Sequence, residues 1–115
     1  MRLKSEVFVQ ALLRIAAANG AIAMLVRRGD TDAGAIFVRI NRLDGSSSLY
    51  GPAPAGIEIE DGDRRFTPCF PAGAKPDLEV EAYLARQLEF DRDVWVVEIE
   101  DRRGRSFLDD WLAAG

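Results

Sequence analysis

Apolar positions near the start of the chain follow a helical spacing and then change to the spacing of a strand. Between Ser5 and Asn19 they recur in pairs four residues apart, which places them on one stripe of a helix. Ser5 is suited to cap the start of this helix, and Gly20 is suited to end it. From Ala21 to Arg28 apolar side chains alternate, as they do on a strand. The pattern therefore predicts a first helix followed directly by a first strand.

The next segment has the pattern of a hairpin. Residues 35–43 are rich in Ile, Phe and Val, which favours a second strand. Asp44-Gly45 is the strongest turn signal in the chain, because both residues tolerate the positive φ angles of a type I′ turn. A two-residue turn at this point places Arg39 opposite Tyr50 on one side of the sheet. The order of the segments also favours antiparallel pairing of the first two strands.

The second half of the chain adds two helical patterns and further strands. Residues 57–66 have the pattern of another hairpin, around Asp61-Gly62. Asp77 is suited to cap a second helix, residues 94–100 alternate as a strand, and a short helix closes the chain. The predicted order is αβββ(β)αβα, in one α+β domain over residues 1–115. We expect a mainly antiparallel sheet of about 4–6 strands with the helices on one face.

Composition and charge narrow the classes of function. The chain is 48% hydrophobic and 30% charged, which is enough apolar material for a folded core. Its formal charge of -4 disfavours a dedicated nucleic acid binder, and Arg pairs such as Arg64-Arg65 are more typical of a solvated edge than of a phosphate or carboxylate site. No apolar run approaches the ~20 residues of a membrane span. The single cysteine and the charged N-terminal segment, which lacks a secretory signal pattern, favour the cytoplasm.

Candidate catalytic residues are few. The chain has no histidine, which excludes Ser-His-Asp and Cys-His catalysis and His-based metal sites. Cys69 has no basic neighbour that would activate it, so a buried thiol is favoured over a nucleophile. Asp30 and Asp32 could share Mg²⁺ or Ca²⁺, although a calcium loop needs further oxygen donors and an ordinary polar turn is favoured. We expect no cofactor, and an enzyme that uses carboxylates or a divalent metal is the less favoured alternative.

A mixed face of the predicted sheet is the best candidate for ligand binding. Guanidinium and aromatic groups together can hold an anionic or planar ligand. The alternative is a solvent-facing side with cross-strand pairs such as Arg39 on Tyr50. The candidate residues are Arg27, Phe37, Arg39, Asn41 and Tyr50.

The apolar stripe near the C-terminus is the candidate for a partner interface. Its aromatic residues could anchor a second chain, since Trp is common in interface hot spots, or they could close the core. The residues are Phe107, Leu108, Trp111 and Leu112. A homo-oligomer formed through this helix or through an uncovered strand edge is therefore a further hypothesis.

Several short motifs resemble one known family. The segments are Arg28-Gly29-Asp30, Asp32-Ala33-Gly34-Ala35, Asn41-Arg42-Leu43-Asp44-Gly45 and Leu49-Tyr50-Gly51-Pro52. With them the chain resembles, over nearly its whole length, the small alphaproteobacterial family catalogued as domain of unknown function 1491. The resemblance implies a bacterial, cytoplasmic, free-standing domain and carries no activity with it. The leading hypothesis is a non-enzymatic binding or adaptor module that contacts a small anionic ligand or a protein partner.

Overall fold

The computed structural model describes residues 2–54 and 63–113, in which two helices pack on a six-stranded sheet. The α+β class and the mainly antiparallel sheet are confirmed. The hairpin predicted around Asp61-Gly62 falls on residues outside the described ranges, apart from its final residues. In chain order the elements are α1 (Ser5–Ala18), β1 (Ile22–Arg27), β2 (Ile36–Asn41), β3 (Ser46–Pro52), β4 (Phe66–Pro68), β5 (Lys75–Pro76), α2 (Asp77–Phe90), β6 (Trp95–Glu100) and a 3-10 turn (Asp109–Trp111).

Strand β6 lies in the middle of the sheet. The strand order is β1-β6-β2-β3-β4, and the short β5 also pairs with β3. β6 runs antiparallel to β1 and parallel to β2, so the antiparallel β1–β2 pair expected from chain order is wrong. The reason is the composition of β6, in which Trp95, Val96 and Val97 are all buried. A strand that is apolar on both faces needs neighbours on both sides and cover on both faces.

The two helices cover opposite faces of the sheet, which corrects the expectation that they share one face. Successive residues of β2 and β6 point to different sides, and both sides are apolar. The α1-side core contains Phe8, Val9, Leu12, Ala16, Ala21, Ile36, Val38, Ile40, Phe66, Trp95, Val97, Ile99 and Leu108. The α2-side core contains Phe37, Leu49, Val80, Leu84, Val94 and Val96.

The β2–β3 turn is one residue longer than predicted. Arg42 N donates to Ser46 O at 3.1 Å, which leaves three residues, 43–45, in the loop. Leu43 and Gly45 both have positive φ angles, of 63° and 90°. Asp44 Oδ1 accepts hydrogen bonds from Ser46 N at 2.9 Å and from Ser46 Oγ at 2.6 Å. The Asp44 carboxylate thus stabilises a longer turn, and the predicted two-residue turn is wrong.

Loop 28–34 caps the start of α1. Ser5 N donates to Asp32 O at 3.1 Å, and Glu6 N donates to Thr31 O at 3.1 Å. These backbone carbonyls satisfy amides that the first turn of a helix leaves without partners. The Ser5 side chain makes no cap and instead donates to Gly34 O at 2.6 Å, so its predicted capping role is wrong. The loop and the helix therefore stabilise each other.

The turn after β6 is held by a buried carboxylate. Asp101 accepts hydrogen bonds from the Arg105 backbone N at 2.8 Å, from Nε at 2.9 Å and from Nη2 at 3.0 Å. The side-chain hydrogen bond from Arg105 is the main reason that the pKa of Asp101 falls from 3.8 to about 2. A lowered carboxylate pKa stabilises the folded state above the unfolded pKa, and that contribution is lost as the pH falls toward the folded pKa.

We expect Asp101→Asn to lower the free energy of unfolding by about 1–2 kcal/mol at neutral pH, because it removes a charge-assisted pair whose arginine is partly exposed. The difference from the wild type should shrink below about pH 3, where the wild-type carboxylate itself becomes protonated. Urea unfolding at neutral and at acidic pH measures both values. A difference that stays constant across this range would contradict an electrostatic role for Asp101.

Candidate functional site

The residues of the predicted mixed face are divided between the two sides of the sheet. Arg39 pairs with Leu49 and Val38 pairs with Tyr50, one position away from the predicted register. Because directly opposed residues share a face, Tyr50 lies on the α1 side and Arg39 lies on the α2 side. The predicted grouping of Tyr50 with the other candidates is therefore wrong, and the longer turn is the cause.

Phe37, Arg39 and Asn41 lie on the α2 side of the sheet, but Arg27 lies apart from them. Phe37 and Arg39 alternate on β2, and Asn41 Oδ1 accepts a hydrogen bond from Leu43 N at 2.9 Å. Arg27 is on β1. Val96 of β6 pairs with both Arg27 and Phe37, so strand β6 lies between Arg27 and the candidates on β2. The predicted residues do not form one continuous site.

Arg39 is already surrounded by carboxylates. Its side chain is only 11% exposed, and its guanidinium lies 3.2 Å from Asp77, 3.8 Å from Glu81 and 3.6 Å from Glu98. Its Nε also donates to Ser47 Oγ at 3.1 Å. The three acidic neighbours already compensate the positive charge of Arg39, so this residue is not suited to bind an anionic ligand. This cluster instead attaches the start of α2 to β2, β3 and β6.

Several arginines line a different cavity. It has a volume of about 180 Å³ and lies among the ends of β3 and β4, the N-terminal segment and the residues that follow loop 28–34. We call it the arginine pocket. Its described lining residues are Arg2, Ala33, Ala35, Ile36, Pro52, Ala53, Pro54, Arg64, Arg65 and Phe66.

Arg64 is the central residue of the arginine pocket. It is only 4% exposed, and its guanidinium carbon lies 5.0 Å above the centre of the Phe8 ring. Its Nη2 donates to Leu3 O at 2.8 Å and to Ser5 Oγ at 3.4 Å. Its buried Nε has no hydrogen-bond partner, and among the described residues no carboxylate forms an ion pair with it. Buried cations are usually paired, so this arginine is under-compensated.

The electrostatics of the pocket agree with the geometry. The pKa of Arg64 falls from 12.5 to about 10, chiefly because the side chain is buried and secondly because of the nearby charge of Arg2, while Asp63 acts in the opposite direction. A lowered pKa for a cation means that its charge destabilises the folded state at every pH below the folded value. At neutral pH the guanidinium remains charged. An anion bound beside it would remove part of this destabilisation.

The sequence contained a weak signal for this site. Arg64-Arg65 stands as one of three arginine pairs, and pairing alone favours a solvated edge. Arg64 is buried where Leu3, Ser5 and Phe8 of the N-terminal segment contact its guanidinium. That burial depends on contacts between residues about sixty positions apart, which no local pattern carries.

The carboxylates predicted for a metal site have separate partners. Asp30 Oδ2 accepts a hydrogen bond from Ala33 N at 2.9 Å. Asp32 lies 3.6 Å from Lys4 Nζ, and both of these side chains are exposed. Within residues 2–54 and 63–113, no group of three or more His, Cys, Asp or Glu side chains is placed to hold a metal ion. The two carboxylates of loop 28–34 therefore each have a separate partner, and the loop caps α1 through its backbone carbonyls.

The apolar residues near the C-terminus pack mainly on the α1-side core. Leu108 is fully buried, and the Trp111 ring meets the Phe8 ring edge-on with 5.1 Å between centroids. Phe107 packs against the same core. Leu112 is 37% exposed and forms a parallel bridge with Phe66 at the outer side of β4. These contacts leave little of the predicted interface free for a partner.

A larger cavity on the α2 side is mostly apolar. It has a volume of about 490 Å³, and its walls include Phe37, Cys69, Tyr83 and Phe90. Burial raises the pKa of the Cys69 thiol, and its hydrogen bond with Tyr83 lowers it. This is the environment of a structural cysteine, as the sequence predicts. The arginine pocket is the better candidate because it contains a buried polar atom that lacks a partner.

Sequence and structure comparisons agree with each other. A family described as "Protein of unknown function (DUF1491)" matches residues 3–109. A crystal structure of a DUF1491 family protein from Caulobacter crescentus has a TM-score of 0.80 and 34% identity, and the match covers 99% of this chain and 100% of the other. The solution structure of Atu0922 from A. tumefaciens has a TM-score of 0.74 and 44% identity, with 87% and 86% covered. No protein with a curated description matches the chain.

Among the described residues, no helix has both the length and the apolar composition of a membrane span.

Proposed function

This chain belongs to the DUF1491 family, to which no activity is assigned, and we propose that it is a non-enzymatic binding module whose arginine pocket holds a small organic anion. The observation that carries the proposal is the state of Arg64, a buried cation with an unpartnered Nε and no paired carboxylate among the described residues. The proposal keeps the predicted ligand class and moves the site away from the sheet face.

The pocket wall indicates what kind of anion fits. The arginines are accompanied by alanines, prolines and Phe66, so a ligand meets cationic and apolar groups together. The Nε and Nη edges of an arginine can donate two parallel hydrogen bonds to a carboxylate or phosphate. At about 180 Å³ the cavity is smaller than typical drug-sized sites of roughly 300–1,000 Å³. We infer a carboxylate with a compact apolar body, bound in the cytoplasm.

The test compares thermal stabilisation by three probes, namely inorganic phosphate, acetate and benzoate. The variants are Arg64→Met, which removes the buried cation, and Arg102→Met, which removes an exposed arginine from a turn and leaves the pocket intact. A ligand tenfold above its Kd stabilises the wild type by about 1.4 kcal/mol. We expect benzoate to stabilise the wild type and Arg102→Met, with at least a tenfold loss of affinity in Arg64→Met.

The variants separate binding from general effects of salt. Arg64→Met should keep its own stability within about 1 kcal/mol, because replacing an uncompensated buried charge with an apolar side chain is often neutral. Phosphate and acetate report how much of the stabilisation comes from charge alone. Equal stabilisation of all three proteins, or stabilisation of none, would refute an anion site at Arg64. Amide NMR shifts confined to residues that line the pocket would locate the binding.

A further inference from the structure

Within residues 2–54 and 63–113, strand β1 forms an uncovered edge of the sheet. It pairs with β6 on one side, and no other described strand pairs with its outer side. The opposite edge, at β4, is covered because Leu112 bridges Phe66 and Ala113 N donates to Phe66 O at 2.8 Å. An uncovered edge offers free backbone groups to another strand, and proteins usually protect such edges.

β1 carries little of the usual protection, since its one irregularity, a bulge between Leu25 and Arg27, lies at the end of the strand. Its first five residues include no charge and no proline. Ile22 is 59% exposed, Val26 is 57% exposed, and Met24 and Leu25 are also exposed. An edge of this kind is a candidate for pairing with another strand.

We propose that the outer edge of β1 pairs antiparallel with β1 of a second copy of this chain, about a two-fold axis. A two-fold keeps each side chain on its own face, so Ile22 and Met24 of both copies meet on the α2 face and Ala23 and Leu25 meet on the α1 face. The two sheets become one continuous sheet. In this pairing no two like charges of the β1 strands lie opposite each other, although each copy carries a formal charge of -4.

Charges at the two ends of β1 favour a second copy as the partner. Arg27 ends the strand, and Glu100 is the β6 neighbour of Ile22 at its start. Both residues lie on the α2 face, and neither forms an ion pair within the described part of the chain. Antiparallel pairing brings Arg27 of each copy beside Ile22 of the other, about two strand spacings or ~10 Å from its Glu100 at the backbone. Arg27 Nη2 donates to Arg92 O at 2.8 Å within its own copy, and an arginine has further N–H donors that an extended glutamate of the other copy can reach.

The contact is small, which predicts weak association. One strand pair falls below the ~1,200 Å² of a standard stable interface, so the dimer should dissociate on dilution. Sedimentation velocity over a range of protein concentrations measures this directly. The test variant is Met24→Lys, which puts a charge on the edge, and the matched control is Leu78→Lys on the exposed surface of α2. Val26→Lys is the second edge variant, in case Met24→Lys does not fold.

We expect a concentration-dependent dimer for the wild type and Leu78→Lys, and at least a tenfold weaker dimer for the edge variants. Arg27→Glu should also weaken the dimer, and Arg27→Glu combined with Glu100→Arg should restore it. A wild type that stays monomeric at every concentration overturns the proposal, and so does a dimer that both edge variants preserve. An edge that binds only an extended segment of another protein gives a monomer in this assay and counts against the proposal in the same way.

Discussion

Gly34→Ala should lower the free energy of unfolding by about 3 kcal/mol, or prevent folding altogether. A Cβ at this position would overlap the backbone oxygen of Asp93 and would lie 2.9 Å from Trp95 Cδ1 and from Asp30 N. Two of these atoms are backbone, and Trp95 is completely buried, so none of them can move aside at low cost. Urea unfolding followed by tryptophan fluorescence measures the loss.

The control for Gly34→Ala is Gly20→Ala. Gly20 has a φ angle of 85°, and a Cβ built there meets nothing within 4 Å, whereas Gly34 is not among the glycines with positive φ. Gly20→Ala should therefore lose only about 1 kcal/mol, which is the cost of a left-handed conformation. Similar losses in the two variants would show that steric overlap against β6 is not what requires glycine at position 34.

Loop 28–34 contains the motif Arg28-Gly29-Asp30, one of the segments on which the family resemblance was based. Trp95 Nε1 donates to Asp30 O at 2.7 Å, and the Arg28 guanidinium lies 5.1 Å from the centre of the Trp95 ring. Gly29 and Gly34 both allow the loop to touch the start of β6. The motif thus joins α1, the loop and β6, which is a structural role. A metal site at Asp30 and Asp32 remains a prediction that these contacts do not require.

Local patterns predicted the elements well because their causes are local. The helix expected over residues 5–19 is observed at Ser5–Ala18, and the strand expected over 94–100 is observed at Trp95–Glu100. The apolar periods that identify these elements are the same ones that bury Leu12 and Val97 in the core. The boundaries of these two elements therefore follow from the sequence to within about one residue, whereas the strand expected over 35–43 ends at Asn41 and the expected closing helix is a short 3-10 turn.

Strand order and register were not predictable in the same way. β6 enters between β1 and β2 because of the burial of its own two faces, which is a property of the whole sheet. The register depends on the three-residue turn, which Asp44 stabilises by accepting two hydrogen bonds from Ser46, and the extra turn residue places Tyr50 on the other face. The candidate site shifted for the same reason, because the surroundings of Arg39 and Arg64 come from distant segments.

Arg39→Met distinguishes a structural role of the Arg39 cluster from anion binding in the arginine pocket. We expect it to lower the free energy of unfolding by about 3 kcal/mol, because removing one member of a buried charge cluster leaves its partners unpaired. Glu98 is largely buried beside it and Asp77 is partly buried, while Glu81 is exposed and can be solvated by water. Arg102→Met, which removes an exposed arginine, should change stability by less than about 0.5 kcal/mol.

A double-mutant cycle tests whether the loss in Arg39→Met arises from stranded carboxylates. Adding Glu98→Gln removes one unpaired charge, so the double variant should be less destabilised than the sum of the two single variants. Anion binding should survive in Arg39→Met, since this residue does not line the arginine pocket. If Arg39→Met instead keeps its stability and loses benzoate binding, the ligand binds on the α2 face of the sheet, and Arg64 is only a structural cation.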